Sequence, residues 1–246
     1  MILYTGGCSF TNLYWPTWAN YLGHHYEKHV QCGKAGACPS VIARSILNNN
    51  IEPGSHVAVM WTGYDRFPIF KDNQWHNLGS VMSDTAFYKR FYHPYERFLA
   101  LSDAIRLLYL DSKVRQYELF HYSAFPWMLG EIESKVDDNI CIEAQNIIST
   151  IPNFHMNNNL EDFHIAVGKI WINHYYFDND DHPSPTIQWQ WLKSMQENLP
   201  VQLDIPWGNN QSELDQKQVL NNNLKDWWFE QGDCNFYPDH RSIINE

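Results

Sequence analysis

The fold is decided by the first stretch of the chain, residues 1–11, which reads Met1-Ile-Leu-Tyr-Thr-Gly-Gly-Cys-Ser-Phe-Thr11. The apolar run at residues 2–4 predicts a buried strand, and the two glycines after it allow a sharp backbone turn. Ser9 follows at once, with a helix predicted at residues 15–22. A residue that directly follows a strand lies at the carboxyl ends of the strands, which is where open α/β sheets bind ligands. The N–H groups at the start of a following helix can stabilise an oxyanion there. Ser9 is therefore a candidate nucleophile.

A simpler interpretation of the same stretch is that Ser9 and Thr11 only cap a helix. Serine and threonine are favoured N-cap residues, because their side-chain oxygens accept hydrogen bonds from the first helical N–H groups. Gly-Gly-x-Ser sequences are also common in turns. These residues alone leave both interpretations open.

The rest of the chain alternates between apolar runs and amphipathic segments. This alternation predicts a parallel sheet with helices on both faces. An aromatic, irregular segment at 67–95 interrupts it, and loops of that length usually form lids or binding sites. The Asn-rich segment at 153–162 is predicted to be a loop. The further predicted strands are 29–32, 56–61, 117–122 and 164–172, and the further helices are 41–49, 94–111, 140–150 and 184–198.

Length and composition indicate one large domain with a C-terminal extension. The chain has 246 residues, of which 44% are hydrophobic, enough for a full core. From residue 200 the sequence becomes polar and rich in Asn and Gln, although Trp227 and Trp228 occur there. We therefore predict a domain at residues 1–199 and an extension at 200–246 that packs on it and could contact a protein partner.

Charge and hydropathy exclude several classes of function. A net charge of −11 argues against binding to nucleic acid or to anionic membranes, both of which need clustered Lys and Arg. No apolar run reaches the length of a membrane span, and the N-terminus lacks the pattern of a secretory signal. The five cysteines, without Cys-x-x-Cys spacing, predict neither a disulfide framework nor a zinc site. We therefore expect a cytoplasmic or virion-associated protein without a metal or cofactor.

Three short motifs occur along the chain and contain the candidate functional residues. The first is Gly7-Cys-Ser-Phe-Thr11, the second is Gly33-Lys-Ala-Gly36-Ala-Cys-Pro-Ser40, and the third is Asp180-Asp-His182-Pro-Ser-Pro185. Together they resemble the nucleophile, glycine and histidine blocks of the SGNH (GDSL-like) hydrolase family, over roughly residues 1–197. The resemblance implies a flavodoxin-like, three-layer α/β/α sandwich with a central parallel sheet of about five strands.

The resemblance also implies roles for residues of the three motifs. Ser9 would be the nucleophile, and its N–H would form the oxyanion hole with that of Gly36. His182 would take the proton of Ser9, because a serine hydroxyl is a weak nucleophile without a base. Asp180 would fix the tautomer of His182 and stabilise the imidazolium.

Two departures from the family pattern leave alternatives open. The usual Asp-x-x-His spacing would put the carboxylate at residue 179, which is Asn here, so Asp180, Asp178 or Asp181 could serve. The usual Gly-x-Asn-Asp block stands here as Thr62-Gly-Tyr-Asp65, without an asparagine; Thr62 or Arg66 could donate instead. The Asp-rich turn at residues 178–182 could also be only a solvated turn, and it lacks the glycine and distal Glu of a calcium loop.

The leading functional hypothesis is a serine esterase or deacylase without cofactor. Its substrate would be a small acyl ester, such as an O-acetylated carbohydrate, because aromatic residues make up 15% of the chain and rings often line sugar and acyl sites. Tyr64, Arg66 and Cys8 are the candidate pocket residues. The alternative is a degenerate SGNH-like binding or structural protein, for example one associated with a virus. A flavin or nucleotide binder is disfavoured, since residues 33–36 have neither the P-loop nor the dinucleotide spacing.

Overall fold

The computed structural model describes residues 1–13, 17–63, 66, 68–71, 74–77, 93–125, 139–156, 158–161, 163, 182–183 and 185–203. Within them a five-stranded parallel sheet lies between two layers of helices. Its strands are β1 (Ile2–Gly6), β2 (Lys28–Gln31), β3 (His56–Trp61), β6 (Glu118–Ser123) and β7 (Phe154–His155), and β4 (Pro68–Lys71) with β5 (Gln74–Asn77) forms an antiparallel hairpin. The helices are α1 (Trp18–Gly23), α2 (Pro39–Leu47), α3 (Pro94–Arg115), α4 (Asn139–Ser149) and α5 (Pro185–Ser194), followed by a 3₁₀ turn (Gln196–Asn198).

The order of strands in the sheet is β2-β1-β3-β6-β7. All four neighbouring pairs are parallel, so the carboxyl ends of the strands share one edge. The chain moves outward from β1 to β2 and then crosses back to β3, which makes the gap between β1 and β3 a topological switch point. Ligands bind at such points in open α/β sheets.

Two apolar layers cover the sheet because successive strand residues point to opposite faces. On β3, Val57, Val59 and Trp61 pack in the layer formed with α2, α3 and α4. Ala58 and Met60 pack in the opposite layer, formed with α1 and α5. The continuous apolar run of β3, buried along its whole length, is what a central parallel strand requires.

The predicted flavodoxin-like α/β/α fold is confirmed, with small shifts of element boundaries. Two predictions about segments were wrong. Residues 67–95 are not wholly irregular, since the β4–β5 hairpin lies there. The Asn-rich segment contains β7, the fifth strand of the sheet, which is only two residues long and too short to give a hydropathy pattern.

Some predictions lie outside the described residues. These are the strand at 164–172 and the C-terminal extension from residue 204 onward. The domain boundary at 199/200 stays a prediction. None of the described helices is both long enough and apolar enough to span a membrane.

Candidate active site

The turn after β1 presents Ser9 at the switch point. The Cys8 carbonyl accepts hydrogen bonds from the N–H groups of Thr11 at 2.9 Å and Asn12 at 3.1 Å, which closes a tight turn around Ser9. A glycine is needed at position 7, because a Cβ there would lie 1.9 Å from Thr11 Oγ1 and 3.0 Å from the Met60 carbonyl oxygen. The second glycine of the sequence motif thus allows the turn to fold back against the end of β3.

The turn brings Ser9 against His182, which lies far along the chain. The Ser9 Oγ atom is 2.7 Å from His182 Nε2, within hydrogen-bonding distance. If the imidazole carries its proton on Nδ1, the Ser9 hydroxyl donates to Nε2, as the general-base role requires. The rings of His182 and Phe10 also pack in a T-shaped arrangement, with centroids 5.3 Å apart. Ser9 is only 7% exposed and His182 is half-buried, so the serine hydroxyl is largely shielded from water.

A polar network fixes this turn to β2 and to the turn that follows it. The Thr11 carbonyl accepts hydrogen bonds from Gln31 Nε2 at 2.9 Å and from Thr17 Oγ1 at 2.5 Å. Asn12 Nδ2 donates to the Gly33 carbonyl at 2.9 Å. In the other direction, Lys34 N–H donates to the Gly7 carbonyl at 3.0 Å. These bonds hold the first two sequence motifs at a fixed separation.

Gln188 couples the same turn to the helix that follows His182. Its side chain lies on α5, is fully buried, accepts from Trp18 N–H at 3.3 Å and donates to the Phe10 carbonyl at 3.4 Å. The residue thus links the start of α1, the nucleophile turn and the helix beginning three residues after the histidine. This contact favours a fixed position of His182 relative to Ser9.

Three candidate oxyanion donors lie at neighbouring strand ends. Gly36 has a φ of +71°, a conformation that glycine adopts without strain. In the described part of the chain, neither Ser9 N–H nor Gly36 N–H donates to a protein acceptor. Thr62 directly follows β3, and its buried Oγ1 has no hydrogen-bond partner among the described residues. These three groups are therefore the candidate donors to an oxygen atom of a ligand.

The three predicted pocket residues lie in different surroundings. Arg66 lies over the ring of Phe125, with its guanidinium carbon 5.9 Å from the ring centroid, and Phe125 lies 5.2 Å from Phe10. Cys8 is fully buried in the apolar layer with α1 and α5, so the structure does not place its side chain at the open part of the site. Tyr64 lies outside the described residues.

The carboxylate partner of His182 is not placed. Asp178, Asp180 and Asp181 all lie outside the described residues, so the choice among them stays a prediction. No cluster of His, Cys, Asp and Glu among the described residues could hold a metal ion.

Sequence reasoning missed the residues that hold the site together. Gln31, Asn12 and Gln188 are ordinary polar residues in predicted strand, turn and helix segments, and no motif marks them. The one available signal was a polar residue at an inward-facing position, such as Gln188 between Ile187 and Trp189. Most buried side-chain polar groups have a hydrogen-bond partner, so a buried glutamine at such a position is expected to form hydrogen bonds.

Comparison with known proteins shows distant similarity to solved structures. No family model matches the chain, and no curated protein matches it. Among solved structures, the chain is similar to the protein YxiM of Bacillus subtilis, with 15% sequence identity and a TM-score of 0.45. The match covers 80% of this chain and 56% of YxiM, so the chain spans little more than half the length of that structure.

Proposed function

We propose that the protein is a serine hydrolase that cleaves small carboxylic esters, with Ser9 as nucleophile and His182 as general base and acid. The observation that carries the proposal is the 2.7 Å contact between Ser9 Oγ and His182 Nε2 at the switch point of the sheet. Its second support is the pair of N–H groups, of Ser9 and Gly36, that have no protein acceptor in the described part of the chain.

The proposed reaction has two halves. In the first, Ser9 Oγ attacks the ester carbonyl carbon while its proton passes to His182 Nε2, and the negative oxygen is held by the N–H groups of Ser9 and Gly36. The bond to the leaving oxygen then breaks, and His182 gives the proton to the departing alcohol. In the second half, water attacks the acyl-enzyme, gives a proton to His182 and releases the acid, and the proton returns to Ser9.

Two further roles belong to the same proposal. Asp180 is the proposed carboxylate that orients His182, and Asp178 and Asp181 are the alternatives. Thr62 is the proposed side-chain donor that replaces the missing asparagine of the oxyanion hole, since its hydroxyl is buried and has no partner among the described residues. An acetylated carbohydrate is the substrate class that the aromatic content favours.

The proposal is tested with a fluorophosphonate probe, whose phosphorus reacts with an activated serine. We expect a single adduct on Ser9 by peptide mass spectrometry, and its loss in Ser9→Ala and His182→Ala. Hydrolysis of phenyl acetate should fall by at least about 10³-fold in both variants, because loss of either member disables the pair. Ser40→Ala, at the second residue of α2, is the matched control and should label normally.

An inert serine in a folded sample would contradict the proposal. Folding is checked by circular dichroism and by a cooperative unfolding transition. In that case the alternative of a degenerate binding protein on the same fold would stand, and the short Ser9–His182 contact would be only structural.

A further inference from the structure

Arg66 is held at the site in a way that differs from two other partly buried arginines. Arg115 is paired with Asp111 at 3.0 Å, and Arg97 contacts the neighbouring Glu96. Arg66 has a buried Nη1 atom that lacks a hydrogen-bond partner among the described residues, and its guanidinium group lies over the face of the Phe125 ring. The contrast is informative because the chain has 28 acidic and only 17 basic residues. A carboxylate partner would be easy to supply.

Leaving such a donor unpaired is unfavourable in the free protein. A buried N–H without an acceptor loses its hydration and gains no bond in return, and the loss is larger for a charged group. The arrangement makes physical sense when a ligand supplies the acceptor. The planar, forked donors of arginine match the two oxygens of a carboxylate.

The position of Arg66 connects it to the proposed nucleophile. It follows β3, whose neighbour β1 leads into the Ser9 turn. The Phe125 ring beneath Arg66 lies 5.2 Å from the Phe10 ring, and Phe10 contacts His182 edge-on. The two phenylalanines therefore form a continuous apolar platform, defined here as Phe10 and Phe125, between the cation and the Ser9–His182 pair.

From this arrangement we infer that the substrate is an ester carrying a carboxylate, which Arg66 binds while the apolar part of the substrate lies on Phe125, the half-buried ring of the Phe10–Phe125 platform. The inference rests on the proposed function for the reaction and adds the charge class of the substrate. The carboxylate can belong to the acyl group or to the alcohol. An acetylated acidic sugar falls in the second class.

The test compares matched ester pairs with and without a carboxylate. Monophenyl glutarate and phenyl valerate test the acyl side, and 4-acetoxybenzoate and phenyl acetate test the alcohol side. In Arg66→Gln we expect KM for one anionic ester to rise at least about tenfold, the typical effect of losing a charged hydrogen bond, with kcat little changed. The neutral esters should change less than about twofold. Arg106→Gln, which removes an exposed positive charge on α3, is the matched control and should behave as wild type.

Several results would overturn the inference. The first is that the wild-type protein prefers neither anionic ester over its neutral partner. The second is that Arg66→Gln raises KM equally for the neutral and the anionic esters. The side of the ester on which the preference appears identifies the source of the carboxylate.

Binding measured without turnover separates this inference from the proposed function. Calorimetric titration with glutarate and with 4-hydroxybenzoate needs no reactive serine. The anion site is supported if one anion binds to the wild type and to Ser9→Ala but not to Arg66→Gln. This result supports the site even if the fluorophosphonate probe fails to label Ser9. Absence of binding of both anions to a protein that does label would overturn the anion site and leave the hydrolase proposal intact.

Discussion

The two strand ends that meet at the candidate site treat their polar groups in opposite ways. In the turn after β1, the carbonyls of Cys8 and Thr11 each accept two hydrogen bonds, and the side chain of Asn12 donates one. After β3, Thr62 Oγ1 and Arg66 Nη1 are buried and have no hydrogen-bond partner among the described residues. A saturated turn is rigid and can hold a reacting group in place, whereas unpaired donors are suited to binding a ligand.

This comparison predicts that substitutions in the first region mainly reduce stability and those in the second mainly reduce activity. The largest expected effect is that of Gly7→Ala. The new methyl group would lie 1.9 Å from Thr11 Oγ1 and close to the Met60 carbonyl, so the turn must move. We expect a loss of about 3–5 kcal/mol in the free energy of unfolding, from urea denaturation, together with loss of Ser9 labelling.

Gly54→Ala is the control for this substitution. Gly54 has a φ of +78°, and a Cβ added there would meet nothing within 4 Å, so only the backbone conformation is unfavourable. A cost of about 1–2 kcal/mol with normal labelling is expected. Equal effects of the two substitutions would show that crowding at Gly7 is not what fixes the turn.

Two threonines extend the comparison: Thr5 lies in β1, which leads into the first region, and Thr62 lies in the second region. Thr62→Val removes the unpaired hydroxyl, so stability should stay constant or rise slightly while hydrolysis of phenyl acetate falls by about 10²–10³-fold. In contrast, Thr5→Val removes a hydroxyl that bonds His29 at 2.7 Å and Gln31 at 3.0 Å. That variant should lose about 1–3 kcal/mol of stability. Urea unfolding and initial rates measured on the same samples separate the two outcomes, and an unchanged rate in Thr62→Val would remove Thr62 from the oxyanion hole.

The third prediction concerns the link between the two halves of the site. Gln188→Ala leaves Trp18 N–H and the Phe10 carbonyl without their buried partner, at an expected cost of about 1–3 kcal/mol in the free energy of unfolding. Labelling of Ser9 should also slow, because α5 then holds His182 less firmly. Gln190→Ala, at an exposed position of the same helix, should change neither quantity. Slow labelling in both variants would mean that Gln188 has no special positioning role.

The last expected effect is a pH dependence of the hydrogen-bond network that Thr5 forms with His29 and Gln31. Burial lowers the pKa of His29 from its ordinary value of 6.5 to about 4. The unfolded chain therefore binds a proton in this range that the folded protein excludes. The free energy of unfolding therefore has its full value above pH 6.5. It decreases as the pH falls toward 4, by at most about 1.4 kcal/mol per pH unit.

The measurement is urea unfolding at pH 7 and pH 4.5. His29→Gln should lose less stability than wild type between these two pH values, while the exposed control His24→Gln should follow wild type. The same slope in wild type and His29→Gln would show that other groups are responsible, such as His121, whose pKa burial lowers to about 3.

The sequence by itself determined the frame of the molecule. Apolar runs such as that of β3 are long and bounded by turn residues, so they identify strands locally, and their alternation with helical segments determines a parallel sheet. The glycines at positions 7 and 36 and the serine between strand and helix were also visible, because backbone turns depend on local residue type. The two-residue strand β7 was not, since its place comes from pairing with β6 and not from its own pattern.

Only the tertiary structure decided which residues meet. Ser9 and His182 are separated by 173 positions, and no local pattern fixes their distance; the 2.7 Å contact depends on α5 packing beside α1. The roles of Gln31 and Gln188 likewise depend on what surrounds them. The sequence does not distinguish a glutamine that is exposed to water from one that is buried and hydrogen-bonded. The unpaired state of Thr62 and Arg66 is a property of the assembled strand ends, since it depends on the absence of acceptors from neighbouring described elements.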